Sequence, residues 1–137
     1  MTSPVLSSPR STEALPARLR LKRRREFLRT YEVGRKTHSR HTVVFAVLND
    51  LDGPRLGITA TRKIGRANVR NRLKRRVREI FRRERSKLGL DSLPIDLVVN
   101  IKGCAVEAPF ADFRDDLVQA LQKVVRTMAL IERLPEK

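Results

Sequence analysis

An α+β fold in one domain, with elements in the order α-β-β-α-β-α, is what the chain predicts, and three observations predict it. Apolar residues recur at helical spacing over 21–31, over 66–88 and from 109 onward. Three shorter runs, 42–48, 55–62 and 95–101, are rich in β-formers and are bounded by Gly, Pro, Asn and Asp. The 137 residues, 40% of them hydrophobic, suffice for one small core.

The elements follow in order. LKRRREFLRTY, from Leu21 to about Tyr31, sets Leu21, Phe27, Leu28 and Tyr31 at spacings that fit one helical face, and Gly34 is a natural stop. TVVFAVL at 42–48 reads as a strand, and NDLDGP at 49–54 is turn chemistry leading to a second strand, RLGITATR at 55–62. Those two are expected to form a hairpin or to neighbour one another in a sheet. The second alternates: Leu56, Ile58 and Ala60 face the core, and Gly57, Thr59 and Thr61 form a small, polar, open face.

After Gly65, the period of 3.6 puts Val69, Leu73, Val77, Ile80, Phe81 and Leu88 on one arc and Asn71, Lys74, Arg75, Arg78, Arg82 and Arg85 on the opposite one. This is an amphipathic helix with a basic outer face. Gly89 and Pro94 bracket its end, and IDLVVNI at 95–101 is a third strand closed by Gly103. A long closing helix carries Phe110, Phe113, Leu117, Leu121, Val124, Met128 and Ile131, with Asp112, Asp115 and Asp116 at its positive end. Phe81, Phe110 and Phe113 are expected in the core.

Charge supplies the first functional signal. Lys and Arg number 31 against 15 Asp and Glu, a net charge of +16. By segment the net charge is zero over 1–17, +18 over 18–87 and −2 over 88–137. So concentrated an excess is an electrostatic footprint, with nucleic acid as first partner and anionic membrane as second. Over 66–87 there are eleven Lys or Arg and two acids, Glu79 and Glu84. Like charges at i,i+4, such as Arg70 with Lys74, repel by a few tenths of a kcal/mol, so phosphates would relieve the face. About six phosphate contacts imply a slope of log K against log salt of roughly −4 to −5.

Other classes are excluded or set aside. A single cysteine, Cys104, gives no disulfide framework or Cys-based zinc site, and the chain reads as intracellular, with a cytoplasmic location expected. His38 and His41 lack a third ligand and are expected on loop or strand-edge surface. No apolar run reaches a membrane span, and the Ser- and Pro-containing residues 1–17 read as a disordered tail, not a secretory signal. The folded domain is expected over 18–131, with a C-terminal tail over 132–137. No P-loop, HExxH motif or Cys/His dyad is present, so no catalytic residue, metal ligand or small-molecule substrate is assigned. Phe27 and Tyr31, four apart on a basic helix, are either core residues or a stacking pair for splayed bases, and Phe45 is ambiguous in the same way.

The run TRKIGRANVRNRLKRRVRE, residues 61–79, resembles the signature of the protein subunit of bacterial ribonuclease P: Arg70-Asn71-Arg72, followed by Lys74, Arg75 and Arg78 and preceded by Lys63-Ile64-Gly65. EFLRTYEVGRK upstream matches that family's first-helix pattern, and the similarity covers about residues 18–130. The resemblance implies a four-stranded sheet, similar to the ribosomal protein S5 domain 2-like fold, with a left-handed β-α-β crossover through the basic helix. The fourth strand would come from a different division of 42–62 or from residues near 35–41.

It also implies a role. The protein would assist a catalytic RNA in removing the 5′ leader from precursor tRNA, and by itself would be inactive; Mg2+ would be bound mainly by the RNA. Arg66, Arg70, Asn71, Arg72, Lys74, Arg75 and Arg78 would contact the catalytic RNA. Phe27 and Tyr31, with Phe45 and Lys63 as weaker candidates, would contact the leader. The alternative is a ribosomal-type or RNA-chaperone protein that binds structured RNA without processing a substrate. A DNA-binding protein is disfavoured because no zipper or helix-turn-helix follows the basic run.

Overall fold

The computed structural model describes residues 15–133. Its principal elements are α1 (Arg24–Val33), β1 (Arg35–His38), β2 (Thr42–Leu48), β3 (Arg55–Thr59), α2 (Ala67–Leu88), β4 (Ile95–Ile101) and α3 (Phe110–Arg133). The strands make one sheet in the order β1-β2-β4-β3. β2 runs antiparallel to β1 and β4, and β3 runs parallel to β4. The fourth strand is β1, within the 35–41 stretch that was one of the two expected sources.

The expected pairing of 42–48 with 55–62 does not form, because β4 lies between them. The pattern of burial gives the reason. Six of the seven β4 residues are buried, as suits a central strand, whereas β3 is short and has one apolar face. β3 also ends at Thr59, and Arg62–Ile64 turns tightly into α2.

Register sorts the side chains by face. Val44 lies opposite Val99, which lies opposite Ile58; with Ala46, Leu56 and Leu97 these face the core. Phe45 lies opposite Val98 and Gly57, and Val43 opposite Asn100 and Thr59, on the other face. α2 and α3 cover the first face through Leu73, Val77, Ile80 and Phe81 and through Phe113, Leu117, Leu121, Val124 and Met128, all buried. Each such side chain contributes about 1.5–3 kcal/mol of transfer free energy. α1 lies on the second face and leaves part of it open.

α1 begins at Arg24, three residues later than the sequence predicts. Leu21 is occupied otherwise: its N–H donates to the Leu56 carbonyl at 2.9 Å and its side chain is buried, extending the β3 edge. The helix starts where the Glu26 carboxylate can accept from the Arg23 N–H at 3.1 Å. The N-terminal tail expected over 1–17 falls outside the described residues up to 14; Leu15, next in the chain, is 2% exposed and belongs to the core. At the other end α3 reaches Arg133, and residues 134–137 lie outside the described part.

His41 is not surface, as the sequence led us to expect, but buried. Its Nδ1 lies 3.4 Å from an Asp116 carboxylate oxygen, and its ring is tilted against Phe113. Asp116 accepts from the backbone N–H of Arg40 and His41 and from the Ser39 hydroxyl, so it ties the β1–β2 turn to α3. Burial works against its ionised form, but those donors outweigh burial and hold the carboxyl below its ordinary range.

Candidate nucleic-acid interface

α2 is long, amphipathic and cleanly terminated. Gly89 ends it in the left-handed region, φ 82°, its N–H donating to the Arg85 and Ser86 carbonyls. The first turn has no acidic residue, so Arg66 and Arg70 add positive charge to the positive end of the helix dipole. Of the residues the sequence selects, Arg66, Asn71, Arg72 and Arg75 are exposed, and Arg70, Lys74 and Arg78 are half-buried. Arg70 Nε donates to the Gly65 carbonyl at 3.2 Å, which holds its guanidinium at the helix start.

None of the six cations among these residues has a carboxylate within 4 Å among the described residues. Farther along the same helix the situation reverses. Arg82 pairs with Glu79 at 2.7 Å, Arg83 pairs with Glu79, and Arg85 lies 3.4 Å from Asp91. Burial first, then repulsion from Arg20 and Arg75, lowers the pKa of Arg78, the sign of a cation without a counter-charge.

The second surface is the open face of the sheet. Phe27 packs against Gly57, where an added Cβ would come within 2.6 Å of the ring, so only glycine admits this approach. Tyr31 meets Phe45 edge to face, with centroids 4.9 Å apart. The Tyr31 hydroxyl donates to Asn100 Oδ1 at 2.8 Å and, its one proton being committed, accepts from the Thr59 hydroxyl at 2.9 Å. Lys36 Nζ lies 5.5 Å above the Phe45 ring. Three candidate rings thus line one face with a cation beside them.

A groove of about 440 Å³ joins the two surfaces. Its lining combines Phe27, Leu21, Gly57 and Ile58 with the basic residues Arg20, Lys22, Lys74 and Arg78. Lys74 and Arg78, which the resemblance assigns to the catalytic RNA, therefore share a groove with Phe27. Lys63 stands apart: it is exposed on the turn before α2, and no hydrogen bond or ion pair among the described residues links it to the rings.

An ion-pair frame fixes α1 over the sheet. The Arg55 guanidinium donates to both oxygens of buried Asp96, at 3.0 and 2.9 Å, and to Glu26 at 2.9 Å. The hydrogen bonds to Asp96 raise the pKa of Arg55 against its own burial, so the cation stays charged. Burial opposes the ionised Glu26, yet the Arg23 N–H and Arg55 keep its carboxyl below the ordinary range.

Sequence reasoning missed Lys36, Asn100 and Arg20. Asn100 carries a readable signal, since Asp96 and Asn100 are polar at even spacing within IDLVVNI; Lys36 needs the β1–β2 register, and Arg20 needs the tertiary groove. Phe110, expected in the core, is 39% exposed at the start of α3. No helix is long and apolar enough to cross a membrane among the described residues.

The family model Ribonuclease P matches residues 15–125. A ribonuclease P protein component from Syntrophus aciditrophicus is 38% identical over 104 residues, covering 76% of this chain and 85% of that one. Another, from Thermotoga maritima, is 38% identical over 118 residues, covering 82% and 97%. Among solved structures, the Staphylococcus aureus RNase P protein at 2.0 Å superposes with a TM-score of 0.71 at 30% identity, covering 77% of this chain and 94% of that one. The Thermotoga maritima RNase P protein superposes with a TM-score of 0.68 at 36% identity, covering 76% and 96%. A family model matching residues 15–125, with relatives 38% identical over most of their length, shows that the chain belongs to the ribonuclease P protein component family.

Proposed function

We propose that this chain assists a ribonuclease P RNA in removing the 5′ leader of precursor tRNA, with the RNA carrying out the cleavage. The free arc of α2, Arg66 through Arg78, takes the phosphates of the catalytic RNA, and the Phe27, Tyr31 and Phe45 face takes unpaired leader bases. The observation that carries this reading is the contrast in ion pairing. No carboxylate lies within ion-pair distance of the arc among the described residues, and Glu79, the acid next to it on α2, is engaged by Arg82 and Arg83. A ribosomal-type or chaperone role is not favoured by the family match.

Cations set between two polyanions lower their mutual repulsion, and a stacking surface tolerates many base sequences. Lys63, exposed before α2, would meet RNA near the leader path. Mg2+, where cleavage needs it, is assigned mainly to the RNA. No step is assigned to a metal on this chain.

Reconstitution with a bacterial ribonuclease P RNA tests the reading. Wild-type protein is expected to support precursor tRNA cleavage at low Mg2+ and to raise substrate affinity as the leader lengthens; protein free of RNA is expected to cleave nothing. Arg72→Ala should weaken binding to the catalytic RNA. Phe27→Ala should remove the leader-length effect and leave that binding intact. Cleavage by RNA-free protein, or substrate affinity indifferent to the leader, would overturn it.

A further inference from the structure

Phe110 opens α3 beside α2 and stays 39% exposed, whereas Phe113, one turn on, is completely buried. Beneath its ring is a recess of about 180 Å³ lined by Arg72, Arg75, Arg76 and Glu79. The guanidinium carbon of Arg76 lies 5.7 Å from the ring centroid and that of Arg114 lies 6.0 Å from it. Arg76 also reaches the Ala108 carbonyl at 3.5 Å, which keeps its head group at the ring.

The chemistry of this patch is aromatic and cationic together. Glu79, the one acid lining the recess, is already engaged by Arg82 and Arg83; Arg114 pairs with Asp115 at 3.2 Å, whereas Arg72, Arg75 and Arg76 have no carboxylate partner among the described residues. An unpaired base with its flanking phosphates matches both features at once: its π-face meets ring and guanidinium planes, and its phosphates meet the free arginines. The patch is continuous with the basic arc, since Arg72 and Arg75 belong to both. It lies with the helical layer on the opposite face of the sheet from Phe27, Tyr31 and Phe45, and so is separate from the leader surface.

We propose that Phe110, with the unpaired Arg76, forms a stacking site for an unpaired base of the ribonuclease P RNA at the edge of the α2 arc. This rests on the reading that α2 faces that RNA. A site of this kind extends the RNA contact from one helix onto the start of a second, and so fixes the orientation of the protein as well as its affinity.

The chain has no tryptophan, so Phe110→Trp supplies a single fluorescent reporter. Titrated with ribonuclease P RNA, that variant should lose fluorescence as the base stacks, saturating at the RNA concentration that saturates binding. Phe110→Ala should raise the Kd for the RNA about 5- to 100-fold, with Phe110→Tyr near wild type and the leader-length effect unchanged in all three. Urea unfolding of each variant checks the fold. A wild-type Kd for a folded Phe110→Ala alongside a weakened Arg72→Ala would overturn the stacking site and leave the α2 reading standing. Unchanged tryptophan fluorescence at saturation would likewise overturn it, and failure of the wild-type chain to bind the RNA would overturn both.

Discussion

Two stretches of one helix, Arg70 to Arg78 and Arg82 to Arg85, are similar in sequence and opposite in state. Both are rich in arginine and both contribute to the outer arc, yet the second is held by Glu79 and Asp91 while the first has no carboxylate partner among the described residues. The difference shows that a count of basic residues overstates the charge left free for a ligand. Under the proposed reading the surface is marked by charge that the fold leaves uncompensated, and on α2 that charge lies in about the N-terminal half.

The largest expected effect comes from unseating both stretches together. Phe81 is 1% exposed beneath the junction between them, so Phe81→Ala should cost about 3–5 kcal/mol in urea unfolding. A loss below about 1 kcal/mol would mean that α2 is anchored some other way. Next is Asp116, whose carboxylate ties the β1–β2 turn to α3. Asp116→Asn weakens the charge-assisted hydrogen bonds to the β1–β2 turn and should cost about 1–3 kcal/mol near neutral pH. Because the folded pKa lies below the ordinary value of 3.8, this contribution is complete above the unfolded pKa and is lost as pH falls through the folded one. Wild type and variant should therefore converge in stability in acid; a gap that stays constant with pH would contradict the assignment. The smallest effect sharpens the contrast most. Glu79→Gln releases Arg82 and Arg83 and should change stability by less than about 1 kcal/mol, since the pairs are near the surface. RNA binding should tighten, and its dependence on salt should steepen.

Much of this was legible in the chain. The periodicity of 66–88 and of 109 onward located α2 and α3 because a single apolar stripe decides what a helix buries. β4 was legible because five of its seven residues are apolar and the run is bounded by Pro94 and Gly103. Strand order was not: the turn residues between β2 and β3 are compatible with a hairpin, and the competing pairing through β4 is a long-range property. β1 was obscured by its exposed, charged sequence, and Phe110 was misassigned because periodicity cannot register where a helix overhangs its core. Of the residues of the proposed interface, the Arg70-Asn71-Arg72 core and the Phe27 and Tyr31 pair could be named in advance. The pairing that separates Arg82 from Arg78 required coordinates, since Glu79 stands close to both in sequence.

The central claim is that the unpaired arc, and not total charge, carries the RNA contact. Its most direct test is the salt dependence of the Kd for ribonuclease P RNA, measured for wild type and for two triple variants of equal charge change. Alanine at Arg70, Arg72 and Arg75 should flatten the slope of log K against log salt by about 2–3, at 0.7–0.9 per lost phosphate contact, whereas alanine at Arg82, Arg83 and Arg85 should leave it within about 1 of wild type. Equal flattening by the two triples would contradict the account.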